Sequence, residues 1–218
     1  MIVKVCGMRE KENIRAVAAL PIDWMGFIFY PPSPRHTDGT LLADPSLLPK
    51  GIRRVGVFVN ATLEEVMERA DECHLDLLQL HGDESPEYCH ALQKRGYSLI
   101  KAIRVRTEKD CSRAKTYDKR VDYLLFETPC AGFGGSGKQF DWSLLERYEG
   151  ETPFLLSGGI RPESAEALLA FHHPRFAGID LNSGFETAPG KKDPERLADF
   201  LRRMGEGAPD NHQQTNNA

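Results

Sequence analysis

Short runs rich in β-branched, aromatic and leucine side chains recur along the chain at positions 2–6, 24–30, 54–60, 75–80, 98–104, 122–127, 153–157 and 176–181. Each reads as a strand. Between them apolar residues fall at helical spacing, as in Ile14, Val17 and Ala18, then Leu63, Val66, Met67 and Ala70, then Ala165, Leu168 and Leu169. Helix-start chemistry agrees. Thr62 precedes Glu64 and Glu65, Ser85 is followed by Pro86, and Pro162 and Pro194 stand just inside the seventh and eighth helical segments. Successive strand starts lie 21 to 31 residues apart, room for a strand, a helix and two short loops, and no linker interrupts the rhythm. Eight such units predict a single-domain (β/α)8 barrel, a TIM barrel of the α/β class, over residues 1–204. An open doubly wound sheet would ask for Gly-x-Gly-x-x-Gly after the first strand, where this chain has Cys6-Gly7-Met8-Arg9. Residues 205–218, mostly Gly, Asn, Gln and Pro without apolar spacing, are expected to form a disordered tail.

Composition narrows the possible partners. Across 218 residues, 28 Lys and Arg stand against 32 Asp and Glu, a net charge of −4, with no basic block to neutralise a row of phosphates. A nucleic-acid partner is therefore not expected. Nothing approaches the length of apolar run that spans a bilayer, and the first residues lack the apolar core of a signal peptide, so a cytoplasmic protein without membrane partners is expected. The five cysteines are odd in number and widely spaced, with no Cys-x-x-Cys pair, which suggests neither a disulfide framework nor zinc. The histidines fall on no succession of strand ends, so no metal set is expected.

In a barrel, chemistry collects at the C-terminal ends of the strands. Strand alternation turns Val3 and Val5 toward the helices, and therefore Lys4 and Cys6 inward. The same parity sends Gln79 and His81, Glu127, and Asp180 to the mouth. A thiol beside the cation of Lys4 is a candidate base, since a nearby positive charge favours the thiolate. Two glycine-bearing loops, Ser157-Gly158-Gly159 after strand seven and Asn182-Ser183-Gly184 after strand eight, occupy the place where barrels most often hold phosphate on backbone N–H groups. A third, Gly132 to Lys138, reads as a flap or another anion contact. Arg35 follows three prolines that stiffen its loop, and its planar fork suits a carboxylate.

These residues resemble phosphoribosylanthranilate isomerase over nearly the whole chain. The resemblance rests on Lys4-Val5-Cys6-Gly7-Met8, Gly26-Phe27-Ile28-Phe29 with Ser33-Pro34-Arg35, Gly56-Val57-Phe58-Val59-Asn60 and Gln79-Leu80-His81-Gly82-Asp83-Glu84. It continues, in the family's order, with Lys101 to Val105, Gly134 to Gly137 with Phe140-Asp141-Trp142, Ser157 to Ile160, Gly178-Ile179-Asp180, and Gly190-Lys191-Lys192-Asp193. It implies a cofactor-free Amadori rearrangement of N-(5-phosphoribosyl)anthranilate to the open-chain 1-(2-carboxyphenylamino)-1-deoxyribulose phosphate, a step of tryptophan biosynthesis.

By the same resemblance Cys6 is the base, Glu127 the acid, and Arg35 the ligand of the anthranilate carboxylate, with His81 and Asp180 also on the substrate. Ser157, Gly158, Gly159, Asn182, Ser183 and Gly184 would hold the phosphate. Two departures stand out: the family has Asp where this chain has Glu127, and more usually Ser where it has Asn182. As an acid in a pocket that excludes water, Glu127 is expected to have a raised pKa. Two rival readings differ in class or substrate: a sibling isomerase of histidine synthesis, which uses two aspartates, and a catalytically weak phosphate-sugar binding protein. The apolar faces of barrel helices and of subunit interfaces look alike, so monomer and homodimer both stay open.

Overall fold

The computed structural model describes residues 1–128 and 141–206. Eight parallel strands close into a barrel: β1 (Ile2–Val5), β2 (Trp24–Ile28), β3 (Arg53–Phe58), β4 (Leu77–Leu80), β5 (Leu99–Arg104), β6 (Tyr123–Glu127), β7 (Phe154–Leu156) and β8 (Phe176–Leu181). The ring shuts where β8 pairs with β1, setting Lys4 opposite Asp180. Several strands end one or two residues before the apolar runs do. Cys6, Tyr30, Asn60 and Ser157 have already left the ladder for the loops that build the mouth.

Alternation sorts the barrel into an inside and an outside. Trp24, Val55, Leu77, Ile100, Ala102, Leu125 and Leu155 fill the interior, while Val3, Val5, Leu124, Phe126, Ile179 and Leu181 join the larger core under the helices. Six of the strand bottoms are tied in pairs by aspartates that precede β2, β4 and β6. Asp23, Asp76 and Asp122 each accept, at 2.7 Å, the N–H of a residue early in the strand before: Val3, Arg54 and Leu99. These bonds satisfy donors at the barrel floor that would otherwise be orphaned, and they fix the strand register on which the opposite end depends.

Six α-helices stand among the described residues: α1 (Lys11–Ala18), α2 (Leu63–Glu72), α3 (Pro86–Gln93), α4 (Glu108–Ala114), α5 (Ala165–Ala170) and α6 (Pro194–Glu206). The caps behave as their chemistry predicts. Thr62 and Glu65 form a reciprocal capping box, and Ser85 caps α3 with Pro86 in its first turn. Among the described residues the expectation of one α-helix per strand fails twice. After β2 the chain makes two 3-10 turns, Thr40–Ala43 and Pro45–Leu47, because Pro31, Pro32, Pro34, Pro45 and Pro49 remove donors throughout that crossover. After β6 it makes a 3-10 stretch, Trp142–Arg147. Beyond β8 a small hairpin of β9 (Glu186–Ala188) and β10 (Lys191–Lys192) appears, which the apolar pattern did not announce. Helix α6 runs through Gly205 and Glu206, two residues into the segment expected as tail. The rest of that segment, Cys130 and the Gly132 to Lys138 loop lie outside the described residues. No helix among the described residues is long and apolar enough to cross a membrane.

Candidate active site

At the C-terminal mouth one pocket is lined by Cys6, Arg35, Gln79, His81, Glu127, Ser157, Gly158, Gly159, Asp180, Asn182 and Ser183, with apolar walls from Ile28, Val57, Val59 and Ile160. All the site residues singled out in the sequence meet here except Gly184. That glycine lines a neighbouring recess with Arg161 and Arg196, which shares Gly159 and Ser183 with the main pocket.

The thiol side of the pocket is built on the β1/β8 seam. Lys4 is fully buried and donates to Asp180 Oδ1 at 2.7 Å, while Ser157 Oγ donates to Asp180 Oδ2 at 3.2 Å. Burial pulls the Lys4 ammonium down, but Asp180 and then Cys6 pull it up further, so it stays charged. The expected lowering of the Cys6 pKa is not what results. Burial pushes the thiol up; Lys4 opposes this, yet the Asp180 charge paired with Lys4 cancels much of its help, and Lys192 adds a smaller favourable field. A cation already spent on a carboxylate activates a thiol less than a free one.

The acid side lies across the barrel. Glu127 Oε2 is 3.1 Å from His81 Nε2, and Oε1 is 3.6 Å from Arg104 Nε. Burial raises this carboxyl, but the charge and hydrogen bond of His81, with Arg104 and Lys101 behind, outweigh it and hold the group below the ordinary glutamate value. The expectation of a raised pKa is thus corrected: the pocket excludes water, but it supplies cations in water's place. Arg104 has the inward parity of Ala102 on β5, a signal that could have marked it. Behind the mouth Lys101 Nζ donates to the carbonyls of Leu80 and Gly82 and to Glu84 Oε2, at 3.1, 2.8 and 3.0 Å, which braces the loop carrying His81.

Arg35 is held by a residue the sequence reading missed. Its Nε donates to Glu186 Oε1 at 2.9 Å and its Nη2 to Oε2 at 2.6 Å, a bidentate fork. Lys192, also buried, donates to Glu186 Oε1 at 2.7 Å and to Asn182 Oδ1 at 3.0 Å. Both partners therefore come from the unannounced hairpin. Glu186, pushed up by burial, is pulled below its ordinary value by Arg35 and Lys192, so it stays ionised. Gly7, at φ +77°, lets the arginine stem pass: a Cβ there would lie 2.8 Å from Arg35 Cδ.

The side of the pocket after β7 and β8 is made of backbone. Gly158 and Gly159 adopt φ of +82° and +73°, and a Cβ on Gly158 would fall 2.5 Å from the Thr128 nitrogen. Ser183–Phe185 forms a single 3-10 turn. Among the described residues the N–H groups of Gly158, Gly159, Ser183 and Gly184 donate to nothing, which is the arrangement of a backbone nest. The Asn182 side-chain oxygen is taken by Lys192, which leaves that residue's backbone to the pocket.

Comparison with known proteins bears on the same residues. A relative from Parabacteroides distasonis named N-(5'-phosphoribosyl)anthranilate isomerase is 60% identical over 209 residues, covering 94% of this chain and 93% of that one. The crystal structure of phosphoribosyl anthranilate isomerase from Thermotoga maritima superposes with a TM-score of 0.83 at 35% identity, over 94% of this chain and all of that one. A phosphoribosyl anthranilate isomerase structure in complex with reduced 1-(o-carboxyphenylamino)-1-deoxyribulose 5-phosphate superposes at 0.80 with 32% identity and the same coverage of this chain. The family model for N-(5'phosphoribosyl)anthranilate isomerase matches residues 3–203, from β1 into α6 and so across every loop of the pocket just described; the chain belongs to that family.

Proposed function

We propose that this barrel isomerises N-(5-phosphoribosyl)anthranilate to 1-(2-carboxyphenylamino)-1-deoxyribulose 5-phosphate, the Amadori step of tryptophan biosynthesis. The observation that carries the reading is the opposition of a buried thiol, Cys6, and a buried carboxyl, Glu127, across one pocket that the backbone of Gly158, Gly159 and Ser183 also lines. The phosphate sits on the donors of the Ser157-Gly158-Gly159 and Asn182-Ser183-Gly184 loops. The anthranilate carboxylate meets Arg35, whose Nε edge is committed to Glu186, leaving Nη1 for the ligand. Asp180, fixed between Lys4 and Ser157, contributes a carboxylate to the floor beside Cys6.

The chemistry is a sequence of proton transfers. Glu127 gives a proton to the furanose ring oxygen as the C1–O bond breaks, which leaves an iminium at C1. The Cys6 thiolate removes the C2 proton, and its electron pair forms the enolamine. Ketonisation protonates C1 and releases the C2 hydroxyl proton. The free protein rests with the opposite proton distribution, a carboxylate at 127 and a thiol at 6. Moving one proton between the two groups creates the productive pair, so it is a minor form whose share stays constant between the two pKa values.

The reading places the protein in the cytoplasm, in keeping with free buried thiols at Cys6, Cys73, Cys89 and Cys111. A substrate panel tests it: consumption of the anthranilate adduct without turnover of the aminoimidazole carboxamide ribotide is expected. The reverse preference overturns it, and binding without turnover points to a sugar-phosphate binder.

A further inference from the structure

Glu127 needs a proton before it can act, yet it is almost closed to water and held as a carboxylate. Its side chain is 6% exposed, whereas that of its neighbour His81 is 14% exposed. The more exposed imidazole, within hydrogen-bond distance of the acid, offers a route for a proton from solvent. On the far side of the ring, Gln79 Nε2 lies 2.9 Å from His81 Nδ1. Gln79 is itself 1% exposed, and its Oε1, buried, has no hydrogen-bond partner among the described residues.

That orphaned oxygen is informative. Buried amides are normally satisfied at both ends. In the observed orientation the Gln79 amide has a single tie, to His81, so it can turn about its last bond without breaking any other. Its orientation thus follows the form of the ring. A neutral ring with its proton on Nε2 needs a donor at Nδ1, which the amide nitrogen at 2.9 Å can supply; a ring protonated at Nδ1 needs an acceptor, which the rotated amide provides. A carboxylate or a lysine in this position could serve only one of the two forms.

We propose that His81 supplies Glu127 with its acid proton, and that Gln79 is the partner that lets His81 change form while keeping its place. The proposal rests on Glu127 being the acid of the isomerisation. Solvent protonates the ring, and the amide oxygen turns to the new Nδ1–H. The Nε2–H bond then breaks as a carboxyl O–H forms on Glu127, leaving a neutral ring protonated at Nδ1. Glu127 passes that proton to the furanose oxygen and returns to a carboxylate. When Nδ1 loses its proton and Nε2 regains one, the amide swings back. The groups facing the pair are Arg104 and Lys101 from β5, with Asp83 paired to Arg104 at 3.7 Å; among the described residues no carboxylate besides Glu127 pairs with the ring. His81 and Gln79 act through Glu127 and are positioning residues.

The test uses the full chain. His81→Ala should lower kcat at least about tenfold with KM within about threefold, because the loss falls on proton delivery. Added imidazole should restore part of the rate. Gln79→Leu should lower kcat and enlarge the solvent deuterium isotope effect, and nitrogen NMR should show the His81 ring displaced from the Nε2–H form expected in the unliganded wild type. Wild-type kcat in His81→Ala, or a loss that imidazole leaves untouched, overturns the relay. So does an Nδ1–H ring in the neutral wild type, a readout that needs no variant to fold. A wild type that does not turn over the anthranilate adduct defeats the functional reading instead, and the two failures are distinct.

Discussion

Shortening Glu127 to aspartate, Glu127→Asp, withdraws the carboxyl by about 1.5 Å, one carbon–carbon bond. In the wild type Oε2 lies 3.1 Å from His81 Nε2 and Oε1 3.6 Å from Arg104 Nε. A direct retraction opens these to about 4.6 and 5.1 Å, beyond hydrogen-bond reach. Two consequences oppose each other. The acid is misplaced by more than an ångström from a proton acceptor it must nearly touch, which costs about 100-fold in rate. Freed from His81, the buried carboxyl also moves up in pKa, so more of it carries a proton at neutral pH; a rise of one unit is worth about tenfold. The positional loss is the larger, and kcat should fall about tenfold or more, while KM changes little. The acid limb of the pH profile should move to higher pH. Fluorescence progress curves of the anthranilate adduct, followed across the full pH range in which the protein stays folded, measure both effects. An aspartate variant as fast as the wild type would refute the claim that the pocket is fitted to the longer acid.

Cys6→Ala should abolish turnover and leave the affinity for a product analogue within several-fold, since a base contributes mainly in the transition state; an unchanged kcat would remove Cys6 from the chemistry. For the wild type, kcat/KM should show a broad plateau, because Glu127 is held low and Cys6 high. Below the Glu127 pKa the thiolate share falls with falling pH, and above the Cys6 pKa the protonated-acid share falls with rising pH; a narrow bell centred near neutrality would contradict both directions. Lys4→Met leaves the Asp180 carboxylate buried without its cation, a loss of about 3 to 5 kcal/mol, or roughly 6 to 20 °C in Tm for a chain of this size. An unchanged melting curve would show the pair to be dispensable. Inorganic phosphate should compete with substrate, and Gly158→Val should raise KM by driving a side chain against Thr128; non-competitive inhibition would put the anion elsewhere.

What the sequence made legible was whatever depends on strict alternation. Val3 and Val5 can only face the helices, so Lys4 and Cys6 had to point inward, and the same two-residue period delivers Gln79, Glu127 and Asp180 to one mouth. Partnership was less legible, because it depends on which segments meet in space. Nothing in the run from Glu186 to Lys192 is periodic, so neither the hairpin nor its grip on Arg35 could be read there. The direction of the Glu127 pKa failed for a related reason: burial is visible as inward parity, but the compensating cations come from other strands, Arg104 from β5 and His81 from the end of β4. Helix content was overstated after β2, where proline chemistry prevailed over apolar spacing.

Turnover of an anthranilate ribotide by this pocket can be measured directly. Purified protein mixed with N-(5-phosphoribosyl)anthranilate should extinguish the adduct's fluorescence in a protein-dependent reaction, and equal concentrations of Cys6→Ala and Glu127→Gln should leave it standing. Fluorescence that persists with the wild type while the adduct binds, or that vanishes equally fast with both variants, would contradict the assignment of this thiol and this carboxyl as base and acid.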